Sequence, residues 1–149
     1  MPNCLIIGYG NPLRGDDGLG WRAAERLRAV VHDPAVEILS VHQLTPELMD
    51  PISRADRVIF IDARAGAIPG EVLESTVEPQ AGPGGAFSHH ATPAALLAGA
   101  LALYGHAPPA TLLTVTGADF SLTEQLSPAV KDRFDGVIAT VLREVDSDR

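Results

Sequence analysis

The run Arg57 to Asp62, RVIFID, is almost wholly β-branched and aromatic, and it leaves little choice about the kind of domain that can contain it. A strand with one face in water alternates apolar and polar side chains. A run this apolar belongs to a central strand covered on both faces. Leu5 to Ile7 and Thr111 to Thr116 (TLLTVT) read the same way. Helical patterns fall between these strands. Leu19, Ala23, Leu27 and Val30 recur at helical spacing from Gly18 to about Val31, and Asp33 and Pro34 end that helix. Thr92 before Pro93 opens a very apolar helix to Tyr104, and Ser127 before Pro128 opens a last one to about Val145. Strands alternating with helices predict a three-layer α/β/α domain. Its twisted, mostly parallel five-stranded sheet carries helices on both faces.

The other elements are weaker signals. Val36 to Val41 reads as a second strand, and Thr45 with Pro46 announces a short helix whose length Pro51 limits. Glu71 to Val77 alternates apolar with polar, as a half-exposed or edge strand does. The link from Asp62 to Glu71 is short for a parallel crossover, so this fourth strand is expected antiparallel to the third. Pro79 to Ser88, rich in glycine and proline, is expected to be a mobile loop.

A chain of 149 residues, 46% apolar and 20% charged, suits one packed domain over 1–149. A net charge of −8 argues against nucleic acid or an anionic membrane as partner. The single cysteine, Cys4, cannot form an internal disulfide and is expected to pack as a small hydrophobe. MPN runs straight into the first strand with no basic or long apolar leader, and the apolar stretch Ala94 to Tyr104 is too short to span a membrane. A cytoplasmic monomer is the expectation.

The chemistry concentrates in Gly8 to Gly20, GYGNPLRGDDGLG, which carries the chain from the first strand to the first helix. Its glycines and Pro12 make a defined turn, and Asp16 and Asp17 arrive where the helix begins. The stretch is not a dinucleotide fingerprint, because Leu13 stands where the third glycine belongs. Asp16 also reads as a simple helix N-cap and Asp17 as a favourable first-turn acid. Open α/β sheets bind ligands beyond the carboxyl ends of their strands. Three residues fall there by position: Asp17 after strand one, Asp62 closing strand three, and His90 before the third helix. Two carboxylates and an imidazole suit zinc, nickel, manganese or ferrous iron. Asp62 could equally anchor a loop through backbone N–H groups, and His90, like His89 beside it, could be an ordinary loop histidine. No nucleophile elbow, HExxH or P-loop is present.

Taken together, GYGNPLRGDDGLG, the strand VIFIDA ending on Asp62, and the SHH element at Ser88 to His90 resemble the hydrogenase maturation endopeptidases. QLTPEL at Gln43 to Leu48 and GADFSLTEQLSP at Gly117 to Pro128 extend the likeness over nearly the whole chain. The resemblance implies a phosphorylase/hydrolase-like α/β/α fold and an endopeptidase that removes the C-terminal extension of a nickel-iron hydrogenase large-subunit precursor once nickel has been inserted. It further implies that Asp17, Asp62 and His90 engage the metal, where some family members carry Glu in place of Asp17. Nickel would be carried by the precursor, with another divalent ion such as zinc as a candidate for the resting site. Asp16 and Asn11 would then hold the loop and orient Asp17, while Pro79 to Ser88 and Gln43 to Leu48 would grip the precursor. Two other readings stand beside this one. The first is a non-catalytic metal-binding or chaperone module for hydrogenase assembly. The second is a nucleotide-binding domain, disfavoured because an acidic pair at a helix start repels phosphate.

Overall fold

The computed structural model describes residues 3–81 and 91–147. The chain runs β1 (Cys4–Tyr9), α1 (Leu19–Val30), β2 (Val36–Val41), α2 (Met49–Arg54), β3 (Arg57–Arg64), β4 (Val72–Val77), α3 (Pro93–Tyr104), β5 (Ala110–Thr116) and α4 (Pro128–Ser147). Single 3-10 turns at Gly15–Gly18 and Pro46–Leu48 lead into α1 and α2. The five strands form one sheet in the order β2-β1-β3-β5-β4. All neighbours are parallel except the β4–β5 pair.

The strict alternation of the buried strands builds two cores. Ile6 of β1, Ile59 and Ile61 of β3, and Leu113 and Val115 of β5 face Leu19, Ala23 and Leu27 of α1 and Val130, Val137 and Val141 of α4. The intervening residues Leu5, Ile7, Val58 and Phe60 face Met49 and Ile52 of α2 and Leu96, Leu97 and Ala100 of α3. Every one of these side chains is buried, so the strands are covered on both faces as their composition requires. Burying a leucine, isoleucine or phenylalanine side chain stabilises by about 1.5–3 kcal/mol, which makes the two cores the main support of the sheet.

One local expectation is met through an unexpected neighbour, and one needs correction. β4 runs against the direction of β3 but does not pair with it, because β5 lies between them: Val58 to Arg64 register with Ala110 to Thr116, and β4 registers only with β5. Thr116 completes the corner, its amide donating to Glu71 O (2.9 Å) and its carbonyl accepting from Gly70 N (2.7 Å). Pro51 does not stop the second helix. It sits inside the first turn of α2, where a missing N–H costs no intrahelical bond. Thr92 caps α3 as expected, its hydroxyl accepting from Ala95 N at 3.1 Å with Pro93 opening the helix. The strand order reverses at β1, whose chain leaves to β2 on one side while β3 lies on the other. A sheet of this kind opens a crevice at that switch point, beyond the carboxyl ends of β1 and β3.

Candidate active site

The loop after β1 approaches the sheet so closely that only glycine fits at key positions. Gly10 has φ 140°, and a Cβ there would stand 1.8 Å from the carbonyl oxygen of Asp17. A Cβ on Gly20 would lie 2.1 Å from the carbonyl of Ile61 and 2.5 Å from that of Tyr9. These contacts seat the start of α1 directly on the ends of β1 and β3, and with it the acidic pair.

The two carboxylates of that pair part company. Asp16 is fully buried and turns away from the crevice. Its oxygens accept from Ala118 N (2.7 Å), Asp119 N (3.0 Å), Ser127 N (2.7 Å) and the Ser127 hydroxyl (2.7 Å). Asp16 therefore does not cap its own helix. It ties the first loop to the segment between β5 and α4, and backbone bonds from Gly15 to Thr123 O (2.8 Å), Asp16 to Asp119 O (2.8 Å) and Thr123 to Leu13 O (3.0 Å) complete the knot. Asp17 faces the crevice, where its Oδ2 accepts one bond, from Asn11 N at 2.9 Å. Asn11 is itself turned back, its side-chain oxygen accepting from Leu13 N at 2.9 Å.

Asp17 and Asp62, remote in sequence, line one cavity of about 210 Å³ together with Tyr9, Gly10, His42, Gln43, Leu44 and Ala91. Asp62 follows Val58 and Phe60 on the α2/α3 face of β3, and its Oδ1 accepts from Ala63 N at 2.8 Å. Burial pushes its carboxyl up to about 7, and the charge of Asp17 adds to that. The Ala63 N–H and the Tyr9 hydroxyl, which donate to Asp62, hold it back. Burial raises the Tyr9 phenol, and the neighbouring Asp62 raises it further. Such a carboxyl can give or take a proton near neutrality.

Of the predicted site residues, Asp17 and Asp62 come together, whereas His90, with His89, lies outside the described residues, as does most of the Pro79 to Ser88 loop. Gln43 and Leu44 line the cavity, in keeping with a place for Gln43 to Leu48 at the cleft. The residues that sequence reasoning passed over are Tyr9 and His42. Both stand where a parallel strand of this sheet ends, and that position was the available signal. His42 packs its ring against Trp21 of α1, with centroids 6.3 Å apart and planes at 52°. Among the described residues, no group of three or more His, Cys, Asp or Glu is placed to hold a metal ion. Two carboxylates alone form an incomplete donor set, better suited to a cation that brings ligands of its own than to a closed structural site. The same pair repels phosphate, which weighs against the nucleotide reading. A larger cleft of about 690 Å³ lies between α1 and α4, but its arginines are engaged. Arg22 donates to the Pro12 and Glu124 carbonyls, and Arg26 stands 3.4 Å from Asp135 and 5.1 Å over the Phe134 ring.

A doubly wound α/β domain with two carboxylates converging at its switch point is thus the class that fold and site define. Its architecture is that of the hydrogenase maturation proteases. The chain is similar to the hydrogenase maturating endopeptidase HybD from E. coli, at 24% identity and TM-score 0.81, covering 98% of this chain and 93% of the other. It is also similar to the [NiFe] hydrogenase maturation protease HycI from Thermococcus kodakarensis KOD1, at 25% identity and TM-score 0.76, covering 93% and 89%. A third likeness is to the hydrogenase 2 maturation peptidase from a Thaumarchaeota archaeon, at 22% identity and TM-score 0.73, covering 97% and 98%. No protein-family model and no curated protein matches the chain. No helix among the described residues is long and apolar enough to cross a membrane.

Proposed function

We propose that this chain is a hydrogenase maturation endopeptidase, which removes the C-terminal extension of a nickel-iron hydrogenase large-subunit precursor. The observation that carries the reading is the convergence of Asp17 and Asp62 in one cavity, on a fold shared with named maturation proteases over nearly the whole chain. Nickel enters on this reading as part of the substrate, and Asp17 and Asp62 supply oxygen donors towards it. His90 would add a nitrogen donor, and Ala91, which follows the SHH element, lines the same cavity. The incomplete donor set fits a metal delivered in the precursor's own thiolate cage, and a resting divalent ion such as zinc would need further ligands from water. Nickel polarises a carbonyl beside it as a Lewis acid when the precursor is bound. The part of this chain is to orient the scissile peptide against water and to move protons. The cavity carboxylates are suited to take a proton from the attacking water and return it to the leaving amine. Gln43 to Leu48, at the cavity wall, would grip the precursor. We place the protein in the cytoplasm and take it to act as a monomer. The non-catalytic assembly module has no observation of its own in its favour.

The reading is tested by incubating the protein with nickel-loaded and nickel-free precursor and weighing the products. The expected result is loss of one C-terminal peptide from the loaded precursor only, and at least a hundredfold slower loss with Asp17→Ala, Asp62→Ala or His90→Ala, on the scale of groups removed from a reacting centre. Normal processing by all three variants would overturn the site, and binding without cleavage by the unaltered protein would favour the assembly module.

A further inference from the structure

Two polar groups in the cavity, Tyr9 and His42, have no task in this scheme, and Tyr9 is the one beside Asp62. Tyr9 ends β1 on the same face as Leu5 and Ile7, just as Asp62 follows Val58 and Phe60 on β3. Gly8 registers with Ile61, so Tyr9 and Asp62 are the next neighbours on adjacent parallel strands, and they line the same cavity. Each of the two groups shifts the titration of the other, which sets the phenol beside the carboxylate as a candidate donor. For packing alone a phenylalanine would serve, and a largely buried hydroxyl costs free energy unless it is bonded. We infer that Tyr9 is a positioning residue for the cleavage reaction: its hydroxyl holds the Asp62 carboxylate from the β1 side, leaving a lone pair aimed into the cavity.

The inference rests on the proposed function, and it assigns the hydroxyl rather than the ring. Asp62 Oδ1 already accepts from its own Ala63 N–H at 2.8 Å, a bond that leaves the carboxylate free to rock about χ2. The bond from a neighbouring strand removes that freedom. Partners of this kind, which orient a reacting or metal-binding carboxylate, change affinity or activity by about 10–100-fold when removed.

Tyr9→Phe keeps the ring and deletes the donor. The expected result is a kcat on nickel-loaded precursor lowered about tenfold or more, with KM within about twofold, because the wider protein–protein contact carries most of the binding. Placing 4-aminophenylalanine at position 9 restores an N–H donor and is expected to recover most of the rate, whereas 4-methoxyphenylalanine, which has no donor, is not. As a readout apart from activity, thermal unfolding of Tyr9→Phe, Asp62→Ala and the double variant is expected to be non-additive. If the unaltered protein leaves the loaded precursor at full mass, the functional reading fails whatever Tyr9 does, and if Asp62→Ala processes normally, the role given to Asp62 falls and this inference with it. If Asp62→Ala is inactive while Tyr9→Phe keeps the full rate, the functional reading stands and this inference falls. It falls also if Tyr9→Phe is slow and the amino analogue does not restore the rate, since the ring and not the donor would then matter.

Discussion

Asp16 and Asp17 are neighbours in the chain and opposites in the molecule. Asp16 is sealed from water and accepts four hydrogen bonds, all from residues more than a hundred positions away. Asp17 faces a cavity, accepts one bond from its own loop and leaves its other lone pairs to whatever enters. A carboxylate whose acceptor sites are filled is a structural anchor, and one left underfilled beside a second carboxylate is a candidate site. The cost of that arrangement falls on Asp62, whose ionised form is disfavoured by burial and by Asp17 together.

Substitutions sharpen this contrast, and the largest effect belongs to the anchor. Asp16→Ala removes a buried charged acceptor from the part-buried N–H groups of Ala118, Asp119 and Ser127, and a hydrogen bond to a charged group is worth about 1.5–3 kcal/mol. A loss of roughly 4 kcal/mol or more is therefore expected in urea unfolding. Asp17→Ala removes a single part-exposed bond, and about 1 kcal/mol or less should be lost. Equal destabilisation by the two would erase the distinction.

Asp62 gives an effect of intermediate size that has a sign in pH. Burial pushes its folded carboxyl up to about 7 from the ordinary 3.8 of an aspartate, so between those values the folded state holds a proton that the unfolded state has lost. Stability from this group is accordingly present in full below pH 3.8 and declines as pH rises towards 7. Asp62→Asn keeps the shape and removes the charge. It is expected to be more stable than the parent protein at pH 8, by about 4 kcal/mol at most, with the gap closing near pH 4. Denaturation curves at both pH values check this, and a gap that widens on acidification would show the carboxyl to be lowered instead.

The same contrast shows what was legible in the sequence. RVIFID and TLLTVT announced strands buried on both faces because that requirement is written in each residue of the run, and Thr92-Pro93 announced a helix start through local bonds. Asp17 and Asp62 were legible because strand ends in an open sheet are where ligands bind. The insertion of β5 between β3 and β4 was not, since Val58 pairs with Ala110 and Val72 with Val115, partners far apart in sequence, and a short link constrains direction more than neighbour. Asp16 looked like a cap because its partners lie across the fold, at Ala118, Asp119 and Ser127. Tyr9 drew no reading at all, since an aromatic closing an apolar stripe carries no mark of the carboxylate beside it.

The division of labour between the adjacent acids is tested most directly by Asp17→Asn, which can still accept from the Asn11 amide but presents no charge to the cavity. Mass spectrometry of nickel-loaded precursor after incubation with this variant is the measurement. The account predicts a protein that melts where the parent does and leaves the precursor at full mass; release of the C-terminal peptide at the parental rate would contradict it.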